Sequence, residues 1–427
     1  MSDASARAAT AALFDRQRFG VAPGLERTRT LLERLGRPQD AFASVLMAGT
    51  NGKGGTVAHL DAMLRADGRP GAPRVGRTTS PHLIDPGERI VVGGRATSGD
   101  AFEALAREVL PHADALDATF FETLTAMALL AFARAGVGVA LVEVGLGGRL
   151  DASNVLDPVA CGIAQIALDH QAVLGPDLAS IAREKAGILR PGVPAWSSAT
   201  GEGADALARA ARGAGARLRF LERDAAVQIR DLGWEGSEVT VRPPGADASI
   251  FRTPLLGAAQ ARNAALAALL AHELGAPTEA IVRGAAATEW PGRLERVRPG
   301  SEAPAALRSA PGALLLDGAH NPAAAAALAQ ALAGLDRRPT AVLGCSRDKD
   351  ASGVLEALGP QLRSLRLTRA SASPRAETPW RLAERAQALG LAVAGVHDDP
   401  LEAVSAALAD AARDKLGYLG SEIENED

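Results

Sequence analysis

The stretch Val45-Leu-Met-Ala-Gly-Thr-Asn-Gly-Lys-Gly-Gly-Thr56 decides how the rest of the chain is read. Val45 to Ala48 is a short apolar run of the kind that forms a buried parallel strand. It breaks at Gly49 into a loop in which Gly52, Gly54 and Gly55 surround Lys53. From Thr56 to Arg65 the apolar residues Val57, Leu60, Met63 and Leu64 recur at helical spacing. A strand, a glycine loop and a helix in this order make an anion cradle. Backbone N–H groups at a helix N-terminus point at a phosphate, and a lysine adds a point charge. The spelling departs from G-x-x-x-x-G-K-[ST], because Met47 sits where the first glycine belongs and Gly54 follows the lysine. On this loop alone, a Gly-Lys-Gly turn without a ligand stays open.

Outward from the loop, strands alternate with helices. Residues 1–44 read as mostly helical. Arg74 to Leu83 is a short strand that ends in a polar turn, and helices over Ala101–Leu110 and Thr119–Ala135 lead into the buried strand Val137–Val144. Gly162–Leu168 reads as a further strand, closed by Asp169 and His170. This pattern predicts an open parallel α/β sheet with its site at the carboxyl edge. Between about 217 and 254 short alternating strands with Gly/Pro turns predict a small antiparallel patch. Gly257–Leu274 is an alanine-rich helix. Helical texture breaks at Trp290-Pro-Gly-Arg293, which divides the chain into residues 1–292 and 293–427. The second part repeats the α/β pattern: strand Ala313–Asp317, a polar turn, helix Pro322–Leu332 with proline at the favoured first position, and strand Thr340–Gly344. Ser421–Asp427 reads as a frayed acidic tail.

A chain of 427 residues suits two domains. The net charge of −4, with no basic run or aromatic-studded basic stripe, argues against a nucleic-acid partner. Met1–Arg7 lacks the apolar segment of a signal peptide, and no window of about 18 uncharged apolar residues predicts a membrane span. A cytoplasmic protein is expected. Cys161 and Cys345 lie in apolar runs and read as inert core thiols. Of 46 basic residues only four are lysines, Lys53, Lys185, Lys349 and Lys415. Arginine has replaced lysine nearly everywhere, so a surviving lysine marks a place where the chemistry refuses a guanidinium that stays protonated. Lys53 and Lys185 are the two of interest.

Glu143 follows four apolar residues and would cost several kcal/mol if buried unpaired. At a strand end beside a phosphate loop it suits Mg²⁺, with Gly145-Leu-Gly-Gly148 leaving room for a ligand. His170 reads either as a second metal ligand or as a satisfied core histidine, and Mg²⁺ prefers oxygen. Ser80 offers a hydroxyl before a proline, or a plain turn serine. Lys185, before Gly187, also fits a solvated helix-end cation. Asp317 and His320 share a strand-end turn, and Arg293 sits at the domain boundary. Together these placements suggest a cleft that holds a nucleotide.

Several ordered blocks extend the pattern: Gly49–Gly54, Thr79-Ser-Pro-His-Leu83 with Glu88-Arg-Ile90, Thr119-Phe-Phe-Glu122, Leu141–Asp151 with Asn154, and Leu168-Asp-His170. Glu184–Ile188, Gln260-x-x-Asn263, Pro291-Gly-Arg293 and Asp317–Pro322 follow. In that order they resemble folylpolyglutamate synthase/dihydrofolate synthase of the Mur ligase superfamily, over about residues 45–375. The resemblance implies a Mur-ligase-type ATPase domain over 1–292, with a parallel sheet and a small antiparallel patch. It implies a smaller Rossmann-like α/β ligase domain over 293–427. The activity implied is ATP-dependent ligation of L-glutamate to the carboxylate of dihydropteroate or tetrahydrofolate through an acyl phosphate, with both activities in one chain.

Residue by residue, Gly49, Thr50, Asn51, Gly52, Lys53, Gly54, Gly55 and Thr56 match the ATP-phosphate loop. Ser80 with Glu143 and Glu143 with His170 match two Mg²⁺ sites, and Lys185 matches a lysine carbamylated by CO₂. Asn263, Arg293 and Asp317 match nucleotide contacts, His320 a residue near the phosphate, and Thr119, Phe121 and Asp151 the pterin site. A monomer acting on small molecules, with no membrane or nucleic-acid partner, is expected. Three departures stand out. Gly55 replaces the family's usual Ser or Thr, so a loop hydroxyl is lost unless Thr56 substitutes. Ala259 stands where His often precedes Gln-x-x-Asn, and Gly417–Ser421 only faintly echoes the usual C-terminal loop. Rival readings are another Mur-type amino-acid ligase, an NTPase without ligation, and a non-catalytic paralogue.

Overall fold

The computed structural model describes residues 7–20, 23–297, 314–370 and 373–410. The chain forms two compact units, Met1–Trp290 and Pro291–Asp427. In the first, eight strands form one sheet: β1 (Ala43–Ala48), β2 (Val75–Thr78), β3 (Ile90–Val92), β4 (Arg95–Ala96), β5 (Val139–Glu143), β6 (Pro158–Ile163), β7 (Ala195–Ser197) and β8 (Leu218–Phe220). Their order is β4-β3-β2-β5-β1-β6-β7-β8. All pairings are parallel except those of β3 with β2 and β4 at one edge.

Central strands are buried and mostly apolar because both faces are covered. Leu46, Ala48, Ala140 and Val142 point into one layer of helices, with Phe102, Met127 and Ile181. Val45, Met47, Val139 and Leu141 point into the other, with Leu60, Met63 and Leu266. On that second side the helices Lys53–Arg65, Ala258–Glu273 and Thr278–Ala286 pack together, flanked by an antiparallel sheet of β9 (Ala226–Asp231), β10 (Ser237–Arg242) and β11 (Ser249–Thr253). This is the expected antiparallel patch, while Leu218–Phe220 joins the main sheet instead.

The second unit pairs β12 (Glu295–Val297) with β13 (Leu314–Leu316) antiparallel. Its parallel sheet runs β14 (Thr340–Leu343), β15 (Ser364–Leu367) and β16 (Val393–Val396). Asn321 Oδ1 accepts the Ala324 N–H at 2.9 Å and so caps the helix Pro322–Leu332. Helices over 351–358 and 379–388 complete a core of Val354, Leu355, Leu365, Leu367 and Leu382.

Two expectations are corrected. The loop helix begins at Lys53, not Thr56, since Gly52 at φ +91° forms the cap. The strand expected over Gly162–Leu168 is β6, Pro158–Ile163, and residues 164–167 leave the sheet to hold the loop. The Thr50 N–H donates to Gln165 O at 2.7 Å, and the Ala167 N–H donates to Thr50 Oγ1 at 3.1 Å. Ala313, the acidic tail and the segment Gly417–Ser421 lie outside the described residues. Among the described residues no helix is long and apolar enough to cross a membrane. Cys161 is buried, and burial pushes its thiol up to about 12; Cys345 is half-buried.

Two contacts fix the loop helix against its neighbours. A Cβ on Gly284 would lie 2.3 Å from Met63 Cα, so the helix Thr278–Ala286 approaches it backbone to backbone. His59, fully buried, sits between Gly55 O at 2.7 Å from Nδ1 and Thr253 Oγ1 at 2.9 Å from Nε2. Burial lowers its pKa to about 4, although the Gly55 hydrogen bond opposes the shift. Gly284→Val is expected to destabilise the protein by about 1–3 kcal/mol in urea unfolding, because the added carbons have no free space. His59 is neutral in the folded chain, and its stability contribution is whole above its ordinary pKa near 6.5. That contribution is lost as pH falls toward 4, where the unfolded chain takes up a proton the folded one refuses. His59→Gln is expected to remove about 3 kcal/mol of the pH dependence of stability across that window, measured by urea titrations at several pH values. An unchanged slope contradicts the assignment.

Candidate active site

The parallel register sets the site. Met47 pairs with Glu143 and Ala48 with Ile163, so three strands end side by side. The Val144 N–H donates to Met47 O at 2.9 Å, and the Ala164 N–H donates to Ala48 O at 2.8 Å. The loop Gly49–Gly52 therefore leaves the sheet between the ends of β5 and β6. Its lysine folds back: Lys53 Nζ donates to Gly49 O at 3.1 Å and to Thr50 O at 3.3 Å.

Lys185 arrives from the last turn of the helix Leu178–Ala186 and donates to the same Gly49 carbonyl at 2.9 Å. It is 4% exposed, so the solvated helix-end reading fails. Burial first, and the Lys53 charge second, lower its pKa to about 7, while Asp169 and Asp151 pull the other way. Two amines thus converge on one carbonyl, and one of them is partly deprotonated near neutral pH.

Glu143 is 6% exposed, and its Oε2 accepts the Ser80 N–H at 2.9 Å, which brings the Ser80 residue beside the carboxylate. His170 takes φ +51° with its side chain 41% exposed, and its Nε2 lies 3.9 Å from Asp169 Oδ1. It is a surface-facing histidine, not a core one. Among the described residues no cluster of three or more His, Cys, Asp or Glu side chains could hold a metal. A carboxylate beside a serine is a partial oxygen donor set that fits Mg²⁺, which usually completes its shell with phosphate oxygens and water.

Asn263 lies over the loop: its Nδ2 donates to Gln260 Oε1 at 3.0 Å, and a Cβ on Gly52 would lie 2.5 Å from its Oδ1. A Cβ on Gly55 would lie 2.6 Å from Gln260 Oε1, so this pair fills the space a serine would need. Thr56 does not replace the missing hydroxyl, because it is buried and donates to Gly52 O at 2.9 Å within the helix. Asn51 forms a bridge with Gln165.

Phe121 and Asp151 meet at the turn after β5. A Cβ on Gly145 would lie 2.4 Å from Phe121 Cζ, and Asp151 accepts Leu146 N–H at 2.9 Å and Ser153 N–H at 3.0 Å. Thr119 caps the helix Phe120–Arg134 in a capping box with Glu122. In the second unit Arg293, Asp317 and His320 gather on the turn after β13. Asp317 accepts Leu294 N–H at 2.8 Å and Ala319 N–H at 2.7 Å, a Cβ on Gly318 would lie 2.5 Å from Arg293 Nη1, and His320 Nδ1 is 2.8 Å from Gly318 O.

Sequence reasoning missed a cluster beside Ser80. The buried Arg89 donates from Nε to His82 Nδ1 at 2.6 Å and stands over the Phe120 ring at 5.4 Å. Burial lowers its pKa to about 10, against the pull of Glu143 and Glu88. The Glu88-Arg-Ile90 block was the only signal for it.

A family model described as Mur ligase, glutamate ligase domain, matches residues 292–419. A probable bifunctional folylpolyglutamate synthase/dihydropteroate synthase of Haloferax volcanii is 40% identical over 86% of this chain and 43% of its own length. This chain thus spans less than half of that relative. The dihydrofolate synthase/folylpolyglutamate synthase of Mycobacterium tuberculosis is 39% identical over 83% of this chain and 76% of its own. A crystal structure of the Mycobacterium tuberculosis folylpolyglutamate synthase complexed with ADP and AMPPCP superposes with a TM-score of 0.83 at 32% identity, covering 100% of this chain and 94% of that one. Strand ends, loop and helix follow one plan in sequence and in structure, and the chain belongs to the folylpolyglutamate synthase/dihydrofolate synthase family.

Proposed function

We propose that this chain joins the α-amine of L-glutamate to a carboxylate of dihydropteroate or tetrahydrofolate, with cleavage of ATP to ADP and phosphate. One active site serves both the synthesis of dihydrofolate and the extension of glutamate tails. The observation that carries the reading is the convergence at one sheet edge of the phosphate loop, the Ser80–Glu143 contact and the buried Lys185. A relative that carries both enzyme names in one chain supports the double activity. Residues 1–292 are assigned to ATP binding and 293–427 to the ligase domain.

The carboxylate oxygen of the folate substrate attacks the γ-phosphorus and ADP leaves. The glutamate amine then attacks the acyl carbon and phosphate departs with the bond broken at that carbon. Backbone N–H groups over Gly49–Thr56 cradle the phosphates at the helix N-terminus, and Lys53 leaves its carbonyl partners to meet the developing charge. Divalent cations, when bound, neutralise the phosphoryl oxygens, and Ser80, Glu143, His170 and a carbamylated Lys185 would hold them. Asn263, Arg293 and Asp317 orient the nucleotide, His320 lies near the transferred phosphate, and Thr119, Phe121 and Asp151 shape the pterin site. Positioning of this kind removes most of the entropic barrier to a reaction of three substrates.

Lys53→Ala and Glu143→Ala are each expected to lower ATP-dependent incorporation of labelled glutamate by at least ~100-fold with the fold intact. Near-normal incorporation in either variant contradicts the reading. In a nucleotide-bound crystal, Lys185 is expected to carry a carboxyl group on Nζ; a bare amine there overturns its assignment as a carbamate.

A further inference from the structure

Trp290, the last residue of the first unit, is absent from every role given so far. The helix Thr278–Ala286 ends a short way before it, and that helix is held to the loop helix by the backbone contact at Gly284. The chain therefore delivers the indole to the phosphate loop. A Cβ on Gly54 would lie 2.5 Å from Trp290 Cζ2 and 3.3 Å from both Cε2 and Cη2, so the six-membered ring of the indole packs directly on Gly54, just after Lys53. The Arg77 guanidinium carbon sits over the ring, 5.6 Å from its centroid.

Arg77 is itself tethered to the loop helix. Its Nη1 donates to Asp61 Oδ2 at 3.3 Å, and Arg65 Nε donates to the same oxygen at 3.0 Å. Asp61 is buried, yet its Oδ1 and the Arg77 Nε lack hydrogen-bond partners. Arg77 also lies on β2, three residues before Ser80. The indole thus touches both the phosphate loop and a residue of the strand that leads to Ser80.

Beyond Trp290 the chain is pinned again. Gly292 N–H donates to Glu295 Oε2 at 2.7 Å, and Leu294, at φ +48°, donates its N–H to Asp317 Oδ2 at 2.8 Å. Within the second unit, Leu294 is thus held to the turn that carries Asp317 and His320.

Resting on the ligase reading above, we propose that Trp290 is a positioning residue: it transmits occupancy of the phosphate loop to the link that follows, and so acts on the ligation step and not on nucleotide affinity. Phosphates entering beside Lys53 press on the backbone under the indole, and a ring fixed by Arg77 passes that displacement to Pro291. A flexible or small side chain at 290 leaves the loop competent and the link unset.

The test compares wild type, Trp290→Ala, Trp290→Phe and Gly54→Ala. Dissociation constants are measured for a non-hydrolysable ATP analogue with Mg²⁺ by calorimetry, and kcat is measured for glutamate incorporation. Trp290→Ala is expected to keep nucleotide affinity within ~3-fold while kcat falls ~10-fold or more, with Trp290→Phe restoring most of the turnover. Gly54→Ala, whose methyl meets the indole, is expected to lower kcat likewise. The tryptophan emission of wild type is expected to shift on addition of the analogue, and that shift is expected to vanish in Trp290→Phe. Equal losses of affinity and turnover in Trp290→Ala, an unaltered kcat, or a shift that persists in Trp290→Phe each overturn the proposal. The emission signal needs no ligation chemistry. A wild type that shows it but forms no amide would refute the ligase reading and support the contact.

Discussion

The hydrogen bond from Val144 N–H to Met47 O, with the register it closes, is the constraint on which the rest of the site depends. Because the side-chain period of a strand is two, a slip of one residue between β1 and β5 would turn Met47 toward the opposite layer. It would also carry Glu143 away from the Ser80 amide. Both strands send apolar side chains into both core layers, so the helices above and below hold that register by burial. The phosphate loop then needs only to leave the sheet where β1 ends. Its position beside a carboxylate and a buried lysine is a consequence of strand pairing, not of the loop's own sequence.

Charge placement around the loop follows from the same packing. Lys53 and Lys185 share the Gly49 carbonyl, an arrangement in which the Lys53 charge adds to burial in disfavouring the protonated form of Lys185. Bulk water would screen that repulsion; a lysine 4% exposed feels it in full. Along the loop helix, Asp61 offsets Arg65 and Arg77, and Arg77 stands over Trp290. Positive charge is thereby gathered around the loop and its helix, in keeping with the phosphate site proposed above.

Much of this was legible in the sequence, for reasons that can be named. The strand–loop–helix unit was visible because an apolar run that ends in glycines has few other structures available. Pro322 announced its helix by standing at the favoured first position, and the structure adds the Asn321 cap. Lys185 was visible only because lysines are scarce in a chain that uses arginine elsewhere. The segment after Ile163 was misread because apolar residues continue to Leu168, while the backbone groups of Gln165 and Ala167 are committed to Thr50 and not to a strand. Arg77, Arg89 and Trp290 were not legible as a set. Their meaning comes from helix crossings that bring residues distant in sequence to one place, and no local period encodes a crossing.

The central claim is that a nucleoside triphosphate is held where β1 and β5 end, with its terminal phosphate in reach of Lys53 and Glu143. A crystal structure with a non-hydrolysable ATP analogue and Mg²⁺ tests this most directly. The account predicts the phosphates on the backbone of Gly49–Thr56, with Lys53 Nζ moved from Gly49 O to a phosphate oxygen and a cation between Ser80 and Glu143. An analogue bound elsewhere, with Lys53 still on its carbonyl, would contradict it.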